Sequence, residues 1–315
     1  MRSQTISYAA PDILLSQERL FDSVSIVLVG KYTALKDSYM SVIKSLEHSA
    51  FRCRRKLILQ MVPSEDLEQS TLESAPVRYH DAWRALVGAQ GVLVPGGFGT
   101  RGTEGMVLAV KWAREQNVPF FGICLGFQIA VVEWARNVLG HKDANSTELD
   151  ENTTHPAIVF MPEISTTHKG GTMRLGLRPT IFEEGTETWS KVRRMYAGAP
   201  KIWERHRHRW EVNPQMVEEL DKSGLKFIGR DEKGERMQVL ELPGASCSLR
   251  VCYIAEADSI CRPPILRRSS GAPRVLHSSS RPFPSVPRLR CCSLWLRCSS
   301  GAGGVPRAEL PPTAS

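Results

Sequence analysis

The sequence GICLG, residues 122–126, places a cysteine, Cys124, two residues from a glycine on each side. It follows the apolar run Val118–Phe121 and precedes an amphipathic stretch, Phe127–Leu139. This order predicts a strand, a sharp turn and a helix. Small neighbours suit a nucleophile on a strained turn, and a helix N-terminus favours the thiolate. A lone cysteine in apolar sequence is as often an inert core residue, so the pentapeptide alone leaves both interpretations open.

Strands and helices alternate before this cysteine, which predicts parallel βαβ units and an α/β fold. Beyond it the predicted strands follow one another closely, so the second half is expected to be more antiparallel. The predicted strands are Val24–Val29, Leu57–Val62, Gly91–Val94, Val118–Phe121, Ala157–Phe160, Thr172–Leu175, Ile202–Val212, Leu225–Gly229 and Met237–Leu242. The predicted helices are Asp37–Ala50 with Asp37 as N-cap, Tyr79–Val87, Thr103–Gln116, Phe127–Leu139 and Gln215–Lys222.

The sequence changes character at Pro243. The 73 residues from there to the end contain ten Arg, no Lys and three acidic residues, so they carry nearly all of the net charge of +8. Six of the eight cysteines also lie there. We therefore expect a lead-in at 1–21, one domain at 22–242 and a disordered tail at 257–315, with a β-prone segment that could extend the domain to about 256.

The nearly neutral domain gives no reason to expect a specific nucleic-acid partner. Two separated cysteines in 242 residues are typical of a reduced compartment. We find no secretory signal and no run of the ~20 apolar residues that a membrane span needs. The chain is therefore expected to be cytoplasmic and to have no membrane partner.

Two apparent nucleotide motifs fail on closer reading. Gly97–Gly102 matches GxGxxG, but the acidic residue expected ~20 positions later is replaced by apolar sequence. Gly30-Lys31 resembles the end of a phosphate loop without its first glycine, so Lys31 is interpreted as the end of a strand. The Gly97 loop can instead lend backbone N–H groups at the strand ends. With the Leu125 amide it would form an oxyanion hole beside Cys124.

Several segments closely resemble the glutaminase half of the CTP synthase family, a class I glutamine amidotransferase domain. The resemblance covers roughly 22–242 and implies a three-layer, flavodoxin-like fold, with a mostly parallel sheet between helices. Its segments are Ile26–Thr33 (IVLVGKYT), Asp37–Ala50 (DSYMSVIKSLEHSA), Val92–Gly105 (VLVPGGFGTRGTEG), Gly122–Gln128 (GICLGFQ), Asp143–Glu148 (DANSTE), Gly170–Gly176 (GGTMRLG) and Glu204–Pro214 (ERHRHRWEVNP).

The resemblance implies roles for individual residues. Cys124 would attack the side-chain amide of L-glutamine, while the Gly97 and Leu125 amides polarise its oxygen. Opposite charges at Glu148 and Arg209 would suit the ammonium and carboxylate of free glutamine. His206 and His208 are interpreted as structural, and no metal site is expected. The glutamine-binding positions are Gly97, Leu125, Gly126, Phe127, Gln128, Glu148 and Arg209.

In the family, ammonia passes to a separate synthetase domain that converts UTP to CTP with ATP and Mg²⁺. Only about 21 residues precede the resemblance here, so we expect no cofactor site in this chain and no CTP synthesis by it alone. Full-length CTP synthase subunits are the expected protein partners.

The family's domain ends in a strand followed by His-Pro-Glu, which completes a Cys-His-Glu triad, and this sequence contains no His-Pro-Glu. Counted without gaps from Leu242, those positions fall at Ile254, Ala255 and Glu256, so Glu256 is a candidate triad acid. A missing base would leave Cys124 dependent on the helix dipole for its ionisation. Three readings stay open: an impaired glutaminase, a non-catalytic isoform that binds glutamine or CTP synthase subunits, and a mis-spliced product.

Overall fold

A computed structural model describes residues 22–161, 174–243 and 251–253, with backbone alone for 174–175 and 251–253. The predicted lead-in (1–21), the predicted tail (257–315) and Glu256 lie outside the described residues.

The described residues form twelve strands and seven α-helices, joined by loops and short 3-10 turns. The strands are β1 (Ser23–Gly30), β2 (Lys56–Pro63), β3 (Gly91–Val94), β4 (Phe120–Ile123), β5 (Asn145–Ser146), β6 (Pro156–Phe160), β7 (Arg174–Phe182), β8 (Lys201–His208), β9 (Trp210–Val212), β10 (Lys226–Arg230), β11 (Met237–Glu241) and β12 (Val251–Tyr253). The helices are α1 (Met40–Arg52), α2 (Gln69–Ser74), α3 (Pro76–Val87), α4 (Thr103–Glu115), α5 (Leu125–Asn137), α6 (Lys191–Met195) and α7 (Val217–Lys222).

A nine-stranded sheet lies at the centre, in the order β2-β1-β3-β4-β12-β11-β10-β7-β8. Its first five strands run parallel, and the remaining neighbours pair antiparallel. A second, separate sheet has three strands in the order β5-β6-β9. The predicted α/β fold with a more antiparallel second half is confirmed.

Both faces of the parallel strands are buried, as expected for a three-layer fold. Along β1, Val27 and Val29 belong to a core that includes apolar residues of α3, α4 and α5. Ile26 and Leu28 point to the other face and join a second core with apolar residues of α1 and α6. The alternation along one strand therefore packs helices on both sides of the sheet.

The carboxyl ends of β1, β3 and β4 lie at one edge of the sheet. β1 has β2 on one side and β3 on the other, so the chain reverses its path across the sheet at this point. Ligands of open α/β sheets bind at such a switch point. The residues that follow the three strands are Lys31, the loop 95–99 and Cys124, and these form the candidate site.

The strand predicted over Ile202–Val212 is wrong in one respect. It is two strands, β8 and β9, interrupted at Arg209 and belonging to different sheets. The backbone carbonyl of Arg209 accepts a hydrogen bond from Met161 N–H at 3.0 Å, so the chain leaves the ladder with β7 to pair with β6. The alternation of residue types continues through residues 202–212, so nothing in the sequence indicated that the pairing strand changes from β7 to β6.

The predicted N-cap at Asp37 is also wrong. Asp37 lies inside a 3-10 turn, Lys36–Tyr39, and α1 begins only at Met40. The turn directs the Tyr39 hydroxyl inward, where it accepts hydrogen bonds from the backbone N–H groups of Lys31 (3.1 Å) and Tyr32 (3.2 Å). The start of α1 is therefore fixed by the contacts of the Tyr39 hydroxyl with Lys31 and Tyr32 rather than by a side-chain cap from Asp37.

The β-prone segment after Leu242 contains the strand β12. It lies between β4 and β11, parallel to β4, with Tyr253 opposite Ile123. The strand therefore ends beside the residue that precedes Cys124. Where the domain ends along the chain stays a prediction.

Candidate active site

Cys124 occupies the sharp turn that the sequence predicted, and we call this turn between β4 and α5, residues 122–126, the elbow. It follows β4 directly and precedes the first residue of α5, with φ 52° and ψ −104°. Both elements lie about two residues from their predicted places, since β4 runs through Gly122 and α5 begins at Leu125. A non-glycine residue held in such a conformation costs about 1–3 kcal/mol and points to a functional constraint. The thiol is half-buried at the N-terminal end of α5.

The turn is possible because the flanking residues have no side chains. A Cβ at Gly122 would lie 2.6 Å from the backbone carbonyl group of Gly126. A Cβ at Gly126 would lie 2.1 Å from the carbonyl oxygen of Val94, at the end of β3. Both glycines therefore allow backbone segments to approach within distances that any larger residue would forbid.

Gly126→Ala is expected to lower the free energy of unfolding by about 1–3 kcal/mol, because a rigid backbone carbonyl occupies the space of the new methyl group. Urea denaturation measures the change. Gly96→Ala is the matched control, since its methyl would meet only the Cys124 Cβ at an ordinary 3.5 Å. Equal midpoints for the two variants would contradict the close approach at Gly126.

The glycine loop after β3 lies directly beside Cys124. A Cβ at Gly96 would lie 3.5 Å from the Cys124 Cβ, and a Cβ at Gly97 would lie 3.4 Å from Leu125 Cδ2 and 3.3 Å from Lys31 Cδ. The structure thus brings together the residues predicted to form the nucleophile and the oxyanion hole. The assignment of the Gly97 and Leu125 amides as oxyanion donors stays a prediction.

Glu148 belongs to the same cluster, although it follows β5 in the small sheet. Its carboxylate accepts a hydrogen bond from the Gly99 N–H and lies within electrostatic range of Lys31 and Arg209. Burial raises the pKa of Glu148, while the two positive charges and the Gly99 hydrogen bond act to lower that pKa. A half-buried carboxylate within electrostatic range of a guanidinium matches the charges needed to hold a free amino acid.

Two residues of α5 at the predicted glutamine-binding positions, Phe127 and Gln128, have buried side chains. Phe127 is fully buried in the core. Gln128 is 5% exposed, and its Nε2 donates to the Trp210 carbonyl oxygen at 3.1 Å. Gln128 therefore ties α5 to the start of β9, next to Arg209. Direct contact of either residue with glutamine stays a prediction.

Lys31 is the site residue that the sequence reading missed. It is only 3% exposed, and its ammonium donates to the Gly99 carbonyl oxygen and, at 3.2 Å, to Thr103 Oγ1. Its position immediately after a buried strand, at the edge where Gly97 and Cys124 were already placed, was the available signal. The GxGxxG-like loop thus uses a carbonyl and an amide of Gly99 for Lys31 and Glu148.

His206 and His208 precede Arg209 in sequence, and the Nδ1 atom of His208 lies 3.2 Å from the Trp210 carbonyl oxygen. Both are buried on β8, with ring centroids 5.6 Å apart. β8 is the edge strand, and four strands separate it from β4. Within the described ranges, no group of three or more His, Cys, Asp or Glu residues could hold a metal ion. None of the helices described is both long and apolar enough to cross a bilayer.

Comparison with known proteins assigns this arrangement to a family. The profile "Glutamine amidotransferase class-I" matches residues 34–248. CTP synthase of Schizosaccharomyces pombe is 56% identical over 224 residues, which are 71% of this chain and 37% of the relative. CTP synthase of Neurospora crassa is 58% identical over 238 residues, or 76% of this chain and 41% of the relative. CTP synthase 1-A of Xenopus laevis is 55% identical over 225 residues, or 71% and 38%.

A solved structure gives the same result. The Trypanosoma brucei CTPS glutaminase domain with bound acivicin superposes with a TM-score of 0.69 and 29% identity, covering 90% of this chain and 97% of that one. The chain spans only about two fifths of the length of the curated CTP synthases that it matches. The similarity is therefore to their glutamine amidotransferase region. With the elbow at Cys124, the profile match over most of the chain shows that this protein belongs to the class I glutamine amidotransferase family.

Proposed function

We propose that this chain is a CTP synthase-type glutaminase domain that binds L-glutamine at Cys124 and hydrolyses it slowly. The observation that supports this most directly is the strained Cys124 at a strand-to-helix turn, with the loop 95–99 beside it. Such a turn exposes a nucleophile to a substrate at the edge of the sheet.

In the reaction, the Cys124 thiolate would form a bond to the side-chain amide carbon of glutamine. The Gly97 and Leu125 amides would stabilise the negative charge on the oxygen. The carbon–nitrogen bond then breaks, the nitrogen takes up a proton and leaves as ammonia, and water hydrolyses the thioester to glutamate. The step that most needs a proton donor is the departure of ammonia.

Glutamine recognition would rest on the charge pair beside the elbow. Glu148 would accept hydrogen bonds from the substrate ammonium, and Arg209 would bind its carboxylate. Their mutual electrostatic contact and the Gly99 hydrogen bond to Glu148 support this pairing. Gly126, Phe127 and Gln128 would then act through their backbone or by holding the elbow.

The whole-protein activity of the relatives extends beyond this domain. We propose that ammonia made by such a domain serves the conversion of UTP to CTP in pyrimidine biosynthesis. ATP, UTP and Mg²⁺ would bind a synthetase portion, while the thiol chemistry described here needs no cofactor. Full-length CTP synthase subunits are the protein partners that this assignment implies.

The reduced rate follows from the missing base. β12 ends at Tyr253 opposite Ile123, and the next residues in sequence are Ile254, Ala255 and Glu256. An ungapped count from Leu242 would place the family's His-Pro-Glu at these three positions. Members of a catalytic triad act as a unit, so losing one costs on the order of 10³–10⁶ in kcat. Glu256 is proposed as the retained triad acid, which cannot replace the imidazole.

The second candidate function is a non-catalytic isoform, and the same missing histidine favours it. Such a chain would bind glutamine, or associate with CTP synthase subunits, without turnover. Co-purification of the tagged chain with full-length subunits, compared with a chain ending at Leu242, would test this association. Absence of any complex at micromolar concentrations would contradict it.

Cys124→Ala tests the enzymatic proposal. We expect the wild-type chain to release ammonia far below the typical enzymatic kcat of about 10 s⁻¹, and the variant to show only the background rate. Glutamine binding, measured by calorimetry, should survive the substitution because the charge pair is intact. A normal rate that Cys124→Ala abolishes would contradict the impairment, and a wild-type chain that binds no glutamine would contradict the assigned substrate.

A further inference from the structure

Lys31 is a buried lysine at the centre of the candidate site. Lysine is almost never fully buried unless its charge is paired, yet this side chain is only 3% exposed. It follows β1 directly, at the edge of the sheet where β3 and β4 also end. The position of Lys31 at the end of a strand does not by itself explain why its side chain is buried.

The first set of contacts holds the glycine loop. The Lys31 ammonium donates to the Gly99 carbonyl oxygen and to Thr103 Oγ1, and Thr103 Oγ1 in turn donates to the Thr100 carbonyl oxygen at 2.6 Å. The Lys31 stem packs against the position of Gly97. The Lys31 carbonyl oxygen accepts from Arg101 Nη2 at 2.7 Å. Lys31 thus contacts the second half of the loop 95–99 and the segment that joins this loop to α4.

The second relation is electrostatic. Burial lowers the pKa of Lys31, and the Glu148 carboxylate is the largest influence that opposes this effect. Weaker influences come from Arg101, Glu68 and Glu65. For Glu148, the charged groups within range are Lys31 and Arg209, and both favour its ionised form. Lys31 therefore stabilises the negative charge that the proposed substrate ammonium would meet.

We propose that Lys31 is a positioning residue for glutamine, which holds the loop 95–99 beside Cys124 and places its positive charge within range of the Glu148 carboxylate. This inference rests on the proposed function, because it assigns a task within glutamine binding. It differs from a purely structural role, since a structural lysine would affect folding without changing how the site responds to pH.

The test compares Lys31→Met with Lys31→Arg, using the exposed Lys36→Met as the matched control. Glutamine affinity is measured by calorimetry as a function of pH. In Lys31→Met, we expect glutamine to bind about tenfold more weakly at the acidic end of the range, the effect of losing one charged contact. The loss should shrink as the pH rises, because removal of the Lys31 charge raises the pKa of Glu148 further and its carboxyl group then ionises at a higher pH than in the wild type. Lys31→Arg should keep most of the affinity, and Lys36→Met all of it.

A second measurement needs no glutamine. Carbon-13 NMR of the Glu148 carboxyl should show a higher pKa in Lys31→Met than in the wild type, and a pKa close to wild type in Lys31→Arg. If Lys31→Met fails to fold, Lys31→Gln, which keeps a donor for the Gly99 carbonyl, takes its place. An unchanged Glu148 pKa, or an affinity loss independent of pH, would overturn the proposal. A wild type that binds no glutamine while the Glu148 pKa still shifts would locate the failure in the proposed function.

Discussion

Ile254→His is expected to raise the rate of ammonia release from glutamine by a factor on the order of 10³ or more. The substitution supplies an imidazole at the position where the ungapped count places the family's histidine. The described structure supports that register, because β12 runs parallel to β4 and Tyr253, the residue before Ile254, pairs with Ile123, the residue before Cys124. A base there would ionise the thiol and then protonate the leaving ammonia.

Three controls separate this gain from other effects. Ile254→Asn introduces a polar side chain without a base and should leave the rate unchanged. Ile254→His combined with Cys124→Ala should return to background. The alkylation rate of Cys124 by iodoacetamide should rise in Ile254→His and fall again when the imidazole is protonated at acidic pH. A folded Ile254→His chain that binds glutamine but hydrolyses it at the wild-type rate would show that the register is wrong.

The elbow could be predicted from the sequence because its causes are local. Gly122 and Gly126 allow a tight turn wherever the rest of the chain lies, and the apolar runs around Cys124 define a strand and a helix. The errors of about two residues at β4 and α5 arose because the apolar pattern does not mark the residue at which a helix starts after such a turn. The parallel pairing of the first strands and the glycine loop beside Cys124 followed from the alternation of strands and helices.

The parts that were missed depend on contacts between distant segments. Lys31 is 68 residues from Gly99 in sequence, and only the fold shows that its ammonium is buried against that carbonyl. Arg209 was placed inside a continuous strand because the alternating pattern continues through it. The change of strand partner there is decided by Met161, far upstream. Sequence periodicity records which face a residue occupies but not which strand lies next to it.

The buried ion pair between α4 and α5 is a further non-local contact that the sequence did not reveal. Glu133 is 1% exposed and lies on the helix that follows Cys124. Its carboxylate accepts hydrogen bonds from Arg114 Nη2 at 2.8 Å and from Arg114 Nε at 3.0 Å, and from Asn137 Nδ2 at 3.2 Å. The pair thus locks the helix of the elbow to the neighbouring helix.

Glu133→Ala is expected to lower the free energy of unfolding by about 3 kcal/mol, at the lower end of the 3–5 kcal/mol typical for breaking a buried pair. The loss is large because the Arg114 guanidinium would keep its burial without its main partner. It is not larger because Arg114 is 20% exposed and has a second carboxylate, Glu115, at 3.5 Å. Glu133→Gln keeps an acceptor for the same donors and should lose less.

Urea denaturation monitored by circular dichroism measures the effect as a shift of the midpoint at constant slope. Glu218→Ala is the matched control, because Glu218 also pairs with a basic residue, Lys222 at 2.6 Å, but with both side chains at least 74% exposed. Solvent screening leaves such a pair nearly neutral in stability, so its midpoint should stay at the wild-type value. Equal midpoints for Glu133→Ala and Glu218→Ala would mean that water hydrates the Arg114 guanidinium as well as it hydrates the Lys222 ammonium once the carboxylate is removed. The packing of α4 on α5, rather than the charge pair, would then hold the elbow helix in place.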